Sequence, residues 1–447
     1  MDSITFNKET YINLLRLLIS ESKFLQNGEE HVAEETRVAD HVMNTLKPHI
    51  DSGKITCEKV EYVDKRANLI LKYGDSESGQ SISIAGSHFD VVPADPIEWE
   101  RDPFELHVDG DILYGRGTTD CLGHVALVTH LLDELAKNNV QLNYLLVVVF
   151  IADEEVGKDK NIGVLHLEED GHLDCIKNGP VFWLDASDVN PVIASGTGMA
   201  WVLKVTGKKA HSGYPHLGIN PIPIAMEASK AIVTKFNELC PRTQQDTDYN
   251  FRCSSNMKPT MWEMASGSSP NQYADWVSIT GDVRMTPFYD AYYIKDEMLK
   301  FTKELNVHNL PKWHECMDTV CGEGDQRVEA IIDFQWVFGP YCGIACDTSS
   351  KGYELITAAT SKHHGSCKGS SGLGAIPLVK EMQDSGIDVQ IIGYGATEAY
   401  HSNNEYCTLS GMEKGFNILK TLFEFSEKEY NSDNKKNNKS AEEEFFV

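Results

Sequence analysis

The sequence predicts an α/β protein, a mainly parallel sheet flanked by helices, with a smaller α+β domain inserted into it. Three observations predict this. Short apolar runs alternate with a helical pattern in the first part of the chain. From about Thr197 the pattern changes to two strand–helix units in succession. Near residue 347 the first pattern resumes.

The elements follow in order. Residues 82–85, Ile-Ser-Ile-Ala, form a short strand running into Gly86-Ser87-His88. Leu122, Val125, Val128, Leu132 and Leu135 recur at helical spacing, the signature of an amphipathic helix. Residues 145–151 are a continuous apolar run rich in β-branched side chains, as a central strand buried on both faces requires. Residues 181–184 are another. In the insertion, 199–205 reads as a strand, 222–239 as a helix, 276–285 as a strand and 292–305 as a helix. Beyond it, 353–360 and 376–384 read as helices, and 389–392 as a strand returning to the core sheet. The expected organisation is a core domain over 1–196 and 348–425, an inserted domain over 197–347, and a tail over 426–447. The tail is Asn- and Lys-rich before Glu442-Glu443-Glu444, with few residues able to form a core, and is expected to be disordered.

The chain has 447 residues, 41% hydrophobic and 24% charged, an ordinary globular mix. Acidic residues outnumber basic ones 67 to 40, a net charge of −27. This excludes the basic footprint of a nucleic-acid binder and docking on an anionic membrane. An anionic substrate remains open, because a site can be locally positive. The longest apolar stretch, 144–152, has nine residues, well short of the ~20 that span a bilayer. The start, Met1-Asp2-Ser3-Ile4-Thr5, lacks the basic and apolar regions of a signal peptide. Eleven cysteines without a spacing ladder read as reduced thiols, so a cytoplasmic location is expected. Cys342 and Cys346 have no second pair or matching histidines to make a zinc site.

Residues able to bind metal fall just past the ends of several apolar runs. His88 follows 82–85, Asp153-Glu154-Glu155 follows 145–151, Asp185 follows 181–184, and His401 follows 389–392 after a short loop. Asp120 ends the Gly-rich loop Gly115-Arg116-Gly117-Thr118-Thr119-Asp120 before the amphipathic helix. Singly, each has an ordinary reading: a surface histidine, a helix cap, a solvated turn. Together they share one zone, because open α/β sheets gather ligands at the carboxyl ends of their strands. Imidazole mixed with carboxylate suits zinc or manganese better than calcium or magnesium. Adjacent Glu154 and Glu155 diverge in an extended segment, so one can bind metal while the other serves as a base. Asp90, two residues after His88, is placed to accept the ring N–H of a ligating histidine.

These motifs resemble the dinuclear zinc aminoacylase and carboxypeptidase family. The resemblance is carried by Ser87-His88-Phe89-Asp90-Val91-Val92-Pro93, Asp102-Pro103-Phe104, Leu113-Tyr114-Gly115-Arg116-Gly117, Asp120 and Asp153-Glu154-Glu155. It continues through Ala210-His211-Ser212-Gly213, Asn220-Pro221, Gly281-Asp282-Val283-Arg284 and His401 with Asn404-Glu405. It extends over nearly the whole chain to about residue 425. The stretches after Gly115 and Gly281 are most similar to the acetylornithine deacetylase branch. Cys121-Leu122-Gly123 stands where many members have Met-Lys-Gly, and Leu184-Asp185-Ala186 where relatives often have Gly-Glu-Pro.

The resemblance implies a zinc-exopeptidase-like core, an inserted lid and dimerisation domain, and a homodimer. It implies two divalent metal ions, zinc foremost, with cobalt or manganese also accepted. His88 and Asp185 would hold the first ion, with Asp188 a competing candidate for Asp185. Glu155 and His401 would hold the second, and Asp120 would bridge them. Glu154 would be the general base and Asp90 the partner of His88. His211 would supply an oxyanion donor from the partner subunit's inserted domain, and Arg284 and Asn271 would contact substrate. The implied reaction is hydrolysis of a small N-acyl amino acid, N2-acetyl-L-ornithine in the nearest branch, as a step of arginine biosynthesis. An aminoacylase or dipeptidase would use the same metals with a different pocket. A catalytically silent scaffold would be expected to have lost a ligand or the base, whereas every position here is filled by a competent residue.

Overall fold

The computed structural model describes residues 1, 3–28, 31–156, 162–265, 269–312, 317–323, 327–376 and 379–444, with side chains to 431. The chain forms two compact units. The first is Met1–Ile193, Cys346–Ser370 and Leu378–Val447; the second is Ala194–Ala345 and Ser371–Pro377.

The first unit opens with helices α1 (Lys8–Leu25) and α2 (Thr36–Asp51), then β1 (Ile55–Glu61), β2 (Ala67–Gly74) and β3 (Ser81–Ala85). Next come β4 (His107–Asp109), β5 (Ile112–Tyr114), α3 (Leu122–Lys137), β6 (Leu145–Phe150), α4 (Val164–Glu169), β7 (Val181–Ala186) and β8 (Val192–Ala194). The second unit supplies β9 (Thr197–Thr206), α5 (Pro221–Leu239), α6 (Gln244–Asp248), β10 (Asn256–Met264), β11 (Trp276–Met285) and α7 (Ala291–Glu304). It also holds β12 (Val320–Cys321), β13 (Val328–Glu329) and β14 (Ile331–Tyr341). The chain then gives α8 (Lys351–His364), β15 (Ser370–Ser371), α9 (Val379–Asp384), β16 (Val389–Gly393), β17 (Tyr406–Thr408) and α10 (Leu409–Glu444). Of the helix expected at 376–384, residues 377 and 378 lie outside the described residues.

The large sheet runs β1-β2-β6-β3-β7-β16-β8-β15. Its four central strands, β6, β3, β7 and β16, are mutually parallel, while β1 and β2 pair antiparallel at one edge and β8 pairs antiparallel with β16. The central strands are buried almost throughout, which is why they read as apolar runs rather than alternating ones. Helix α3 is buried from Leu122 to Ala136 except at Asp133, so it lies inside the unit. Among the described residues no helix is long and apolar enough to cross a membrane.

In the second unit a four-stranded antiparallel sheet has the order β10-β11-β9-β14. Strand β11 alternates strictly, with Val277, Ile279, Gly281, Val283 and Met285 turned into the core that α5 and α7 complete. Helix α5 begins at an Asn220 cap that accepts the Ile222 N–H, with Pro221 at its first position.

The expected tail boundary at 426 needs correction. Helix α10 runs through it. Ser426 is buried and donates to the Leu422 carbonyl, and the Tyr430 ring packs 5.5 Å from that of Tyr144. Phe423, Ser426 and Tyr430 continue the helical face that docks on the core, and the Asn/Lys-rich run begins only after it.

Candidate metal centre

The four parallel strands end side by side in residues that can bind metal. His88 lies three residues past β3, Glu154 and Glu155 follow β6, Asp185 is the fifth residue of β7, and His401 follows β16. Asp120 lies two residues ahead of α3. A parallel bridge between His88 and Ile151 carries the β3–β6 pairing outward, which brings His88 level with the glutamates. The shared zone expected from strand ends is therefore one cluster.

Asp120 stands between the two histidines. Its Oδ1 lies 2.9 Å from His88 Nε2 and its Oδ2 lies 3.0 Å from His401 Nε2. Glu155 Oε2 is 3.1 Å from His401 Nε2. Asp185 Oδ1 is 3.6 Å and Glu154 Oε2 3.9 Å from His88 Nε2. Ligand atoms of His88, Asp120 and Glu155 all lie within 4.8 Å of one another, as do those of His88, Cys121 and Asp185. Asp188 instead caps a turn, accepting from the N–H and the amide of Asn190, so the cluster contains Asp185 and not its competitor. His401 is the outermost member, with 56% of its side chain accessible.

The electrostatics of the cluster call for added positive charge. Burial, then the charge of Asp185 and the neighbouring carboxylates, holds the Glu154 carboxyl well above its ordinary range. Glu155 is pushed up to about 7 by burial and by Asp120. Burial also raises Asp185. Burial works against the His88 cation, yet the carboxylates of Asp120, Asp185 and Asp90 around the ring hold its pKa well above the usual value. His401 is raised to about 10 by hydrogen bonds to Asp120 and Glu155. Asp120 would also be raised by burial, but the two imidazoles outweigh this and hold it low. Four carboxylates this close repel unless cations lie among them. Asp185 Oδ1, buried 3.6 Å from His88 Nε2, has no hydrogen-bond partner among the described residues. The donor set therefore fits a pair of divalent cations of the imidazole–carboxylate class.

Asp90 lies beside His88 through both its backbone carbonyl and its carboxylate. The nearer acceptor for His88 Nδ1 is the Asp90 backbone carbonyl at 2.9 Å, and the carboxylate is 3.3 Å away. The carboxylate itself accepts the backbone N–H groups of Glu154 and Glu155, each at 3.1 Å.

One residue's part was not legible from its position in a motif. Glu405, fully buried, accepts from Arg116 Nη1 at 2.7 Å, Thr119 N at 2.8 Å, and Gly117 N and Asp120 N at 3.0 Å. It anchors the Gly-rich loop that presents Asp120. The signal was its place four residues after His401. Both His401 and Asp153 have left-handed backbones, with φ of 52° and 59°. That conformation is uncommon outside glycine and clusters at functional sites.

The remaining predicted residues belong to the second unit. Gly213 N donates to His211 Nδ1 at 3.0 Å, so in the neutral ring the proton sits on Nε2. Ser269 Oγ donates to Asn271 Oδ1, which leaves the Asn271 amide nitrogen 3.4 Å from His211 Nε2. The His211 ring and the Asn271 amide thus stand side by side. Arg284, on β11, is held through Nε by Asp282 at 3.0 Å.

The model of peptidase family M20/M25/M40 matches residues 84–424. An acetylornithine deacetylase of Arabidopsis thaliana is 38% identical over 421 residues, 93% of this chain and 95% of the relative. An acetylornithine deacetylase of Dictyostelium discoideum is 36% identical over 443 residues, 95% of this chain and 98% of the relative. Among solved structures, human carnosine dipeptidase 1 superposes with a TM-score of 0.68 at 14% identity, covering 93% of this chain and 95% of that one. A metallo-carboxypeptidase from Sulfolobus solfataricus gives 0.66 at 16% identity, covering 92% and 98%. At such identities the structural likeness concerns the fold.

Proposed function

The chain belongs to peptidase family M20/M25/M40, and on that premise we propose that it hydrolyses the acetyl amide of N2-acetyl-L-ornithine, releasing L-ornithine and acetate. The observation that carries the reaction is the Asp120 carboxylate, with one oxygen on each histidine and Glu154 beside them. The names of the curated relatives support the substrate.

In this reading His88 and Asp185 would hold one cation, Glu155 and His401 a second, and Asp120 would serve both. Zinc is the first choice, with cobalt or manganese in reserve. The pair would supply Lewis acidity and a water of lowered pKa. Everything else falls to the chain itself. Glu154, buried beside His88, takes the water's proton and returns it to the leaving amine. His211 Nε2–H and the Asn271 amide donate to the oxygen on which negative charge develops. Arg284, its Nε held by Asp282, offers its remaining N–H groups to the substrate carboxylate. The proposal includes a homodimer, in which His211 serves the partner chain's site, a cytoplasmic location and a place in arginine biosynthesis.

A substrate panel on zinc-loaded protein is the test. Turnover of N-acetylornithine should exceed that of N-acetylmethionine and of dipeptides. Preference for N-acetylmethionine or for dipeptides would replace this reading with an aminoacylase or a dipeptidase. Absence of bound metal in protein purified without chelator would replace it with a scaffold.

A further inference from the structure

The segment that carries the two glutamates is held by side chains along its backbone. Ala152 N donates to Asn68 Oδ1 at 2.9 Å, and Asp153 N to Glu35 Oε1 at 3.3 Å. Glu154 N and Glu155 N donate to the two oxygens of Asp90, both at 3.1 Å. Four consecutive N–H groups therefore end on three buried side chains. In the middle stands Asp153 with its left-handed backbone, a conformation that persists only where the surroundings over-determine it.

Asp90 can serve both N–H groups only if its own plane is held. Asn27, from the stretch between α1 and α2, does this. Its Nδ2 lies 2.9 Å from Asp90 Oδ2 and 2.7 Å from Asp153 Oδ1, so one amide nitrogen joins two buried carboxylates. Asp153 Oδ1 also accepts from Arg66 at 3.3 Å, and Arg66 pairs with Glu35 through two bonds of 2.5 and 2.6 Å. Asn27 is only 6% exposed, and Glu35 and Arg66 are as buried. All three precede residue 84, where the family match begins.

The geometry points to Asn27 as a positioning residue for the hydrolysis: by bridging Asp90 and Asp153 it sets the direction in which Glu154 presents its carboxylate. Asn27 touches no predicted cation ligand side chain and acts through the turn alone. Without the amide, two buried carboxylates lose a shared donor and repel each other. Asp90 then keeps only the Glu154 and Glu155 N–H groups and His88 as partners, so its plane can turn and shift the anchor of the Glu154 backbone. Small misplacements of a reacting group are costly, up to roughly 10²-fold for ~1 Å.

The inference rests on Glu154 being the general base, and the experiment separates the two. Asn27→Ala and Asn27→Ser are purified with zinc beside wild type and Glu154→Gln, and each is measured for kcat, KM, metal content and melting temperature. In Asn27→Ala, kcat should fall about tenfold or more, as for partners of metal-site residues, with KM and metal content near wild type. Asn27→Ser, which keeps a shorter donor, should fall between the two. Should the alanine variant not fold, the serine variant carries the same readout. Wild-type kcat in folded, metal-loaded Asn27 variants, with Glu154→Gln inactive, overturns the inference and leaves the base in place. A fall in kcat that only tracks lost metal also overturns it, by assigning Asn27 to metal retention through His88. Substantial activity in Glu154→Gln overturns the assignment of the base itself.

Discussion

The carboxylate of Glu405 accepts the backbone N–H of Asp120 at 3.0 Å, so the segment that presents His401 also holds the loop that presents the residue between the two histidines. The two contributions arrive from opposite ends of the first unit's sequence and are locked by one buried acid.

Glu405→Ala removes the acceptor of three backbone N–H groups and the partner of buried Arg116. Breaking a buried ion pair on one side typically costs about 3–5 kcal/mol. Melting temperature and metal content should both fall. A variant that melts and binds metal as wild type does would show that the loop holds itself.

Asp120→Ala should lose more metal than His88→Ala or His401→Ala. Each imidazole faces one oxygen of Asp120, so the carboxylate serves both positions while each histidine serves one. Metal counted per chain decides this. Equal retention of one ion in all three variants would indicate a mononuclear site.

His211→Ala should keep full metal and lose roughly 10²–10³ in kcat, the usual cost of one oxyanion donor. Mixed with Glu154→Gln after subunit exchange, it should recover to about a quarter of wild type, since about half the dimers carry one intact site of two. No recovery after demonstrated exchange would place the donor within its own chain.

His124 makes the protein acid-sensitive. It is fully buried and accepts the Tyr394 N–H on Nε2 at 2.9 Å, and burial lowers its pKa to about 4. The unfolded chain takes up a proton near pH 6.5 that the folded one refuses. The stability tied to the neutral ring is therefore present above that pH and is lost as pH falls towards 4, roughly 3 kcal/mol in all. Melting curves between pH 7 and pH 4.5 should show a smaller loss in His124→Gln than in wild type. Parallel curves would remove His124 as the cause.

Ending the chain after residue 425 should lower the melting temperature, because Ser426 is buried and Tyr430 packs on Tyr144. Tyr430 is only partly buried, so the loss should stay below the roughly 1.5–3 kcal/mol of a fully buried large side chain. Ending it after 431 should change little. A similar loss in both would mean that residues beyond 431 also dock.

The core strands were legible because burial on both faces leaves an apolar run, as in 145–151, and β11 because one-sided burial leaves strict alternation. Edge strand β10 buries only Met257 and leaves residues from Lys258 to Met264 exposed, so no period betrays it. The metal-binding residue types were legible because strand ends collect them. Asn27, Glu35 and Arg66 were not, because nothing in a lone Asn, Glu or Arg marks it as buried; only the folded chain brings the three to one turn. The spacing of Asp90 after His88 points to the imidazole, yet its carboxylate goes chiefly to the backbone of Glu154 and Glu155. A backbone N–H leaves no mark in sequence.

The position of β16 has a consequence for how the molecule is made. It pairs in parallel with β7 inside the sheet, yet it leaves the ribosome some two hundred residues later, after the whole second unit. Until then β7 waits with one side unpaired, and the nascent chain carries an open apolar edge through roughly 10–40 s of synthesis. Pairing over so long a loop is slow, which makes this edge the point where a chaperone would be needed and where the unfinished protein would aggregate. His401 comes a few residues after β16, so on the proposed ligand set metal loading would be among the last events of maturation.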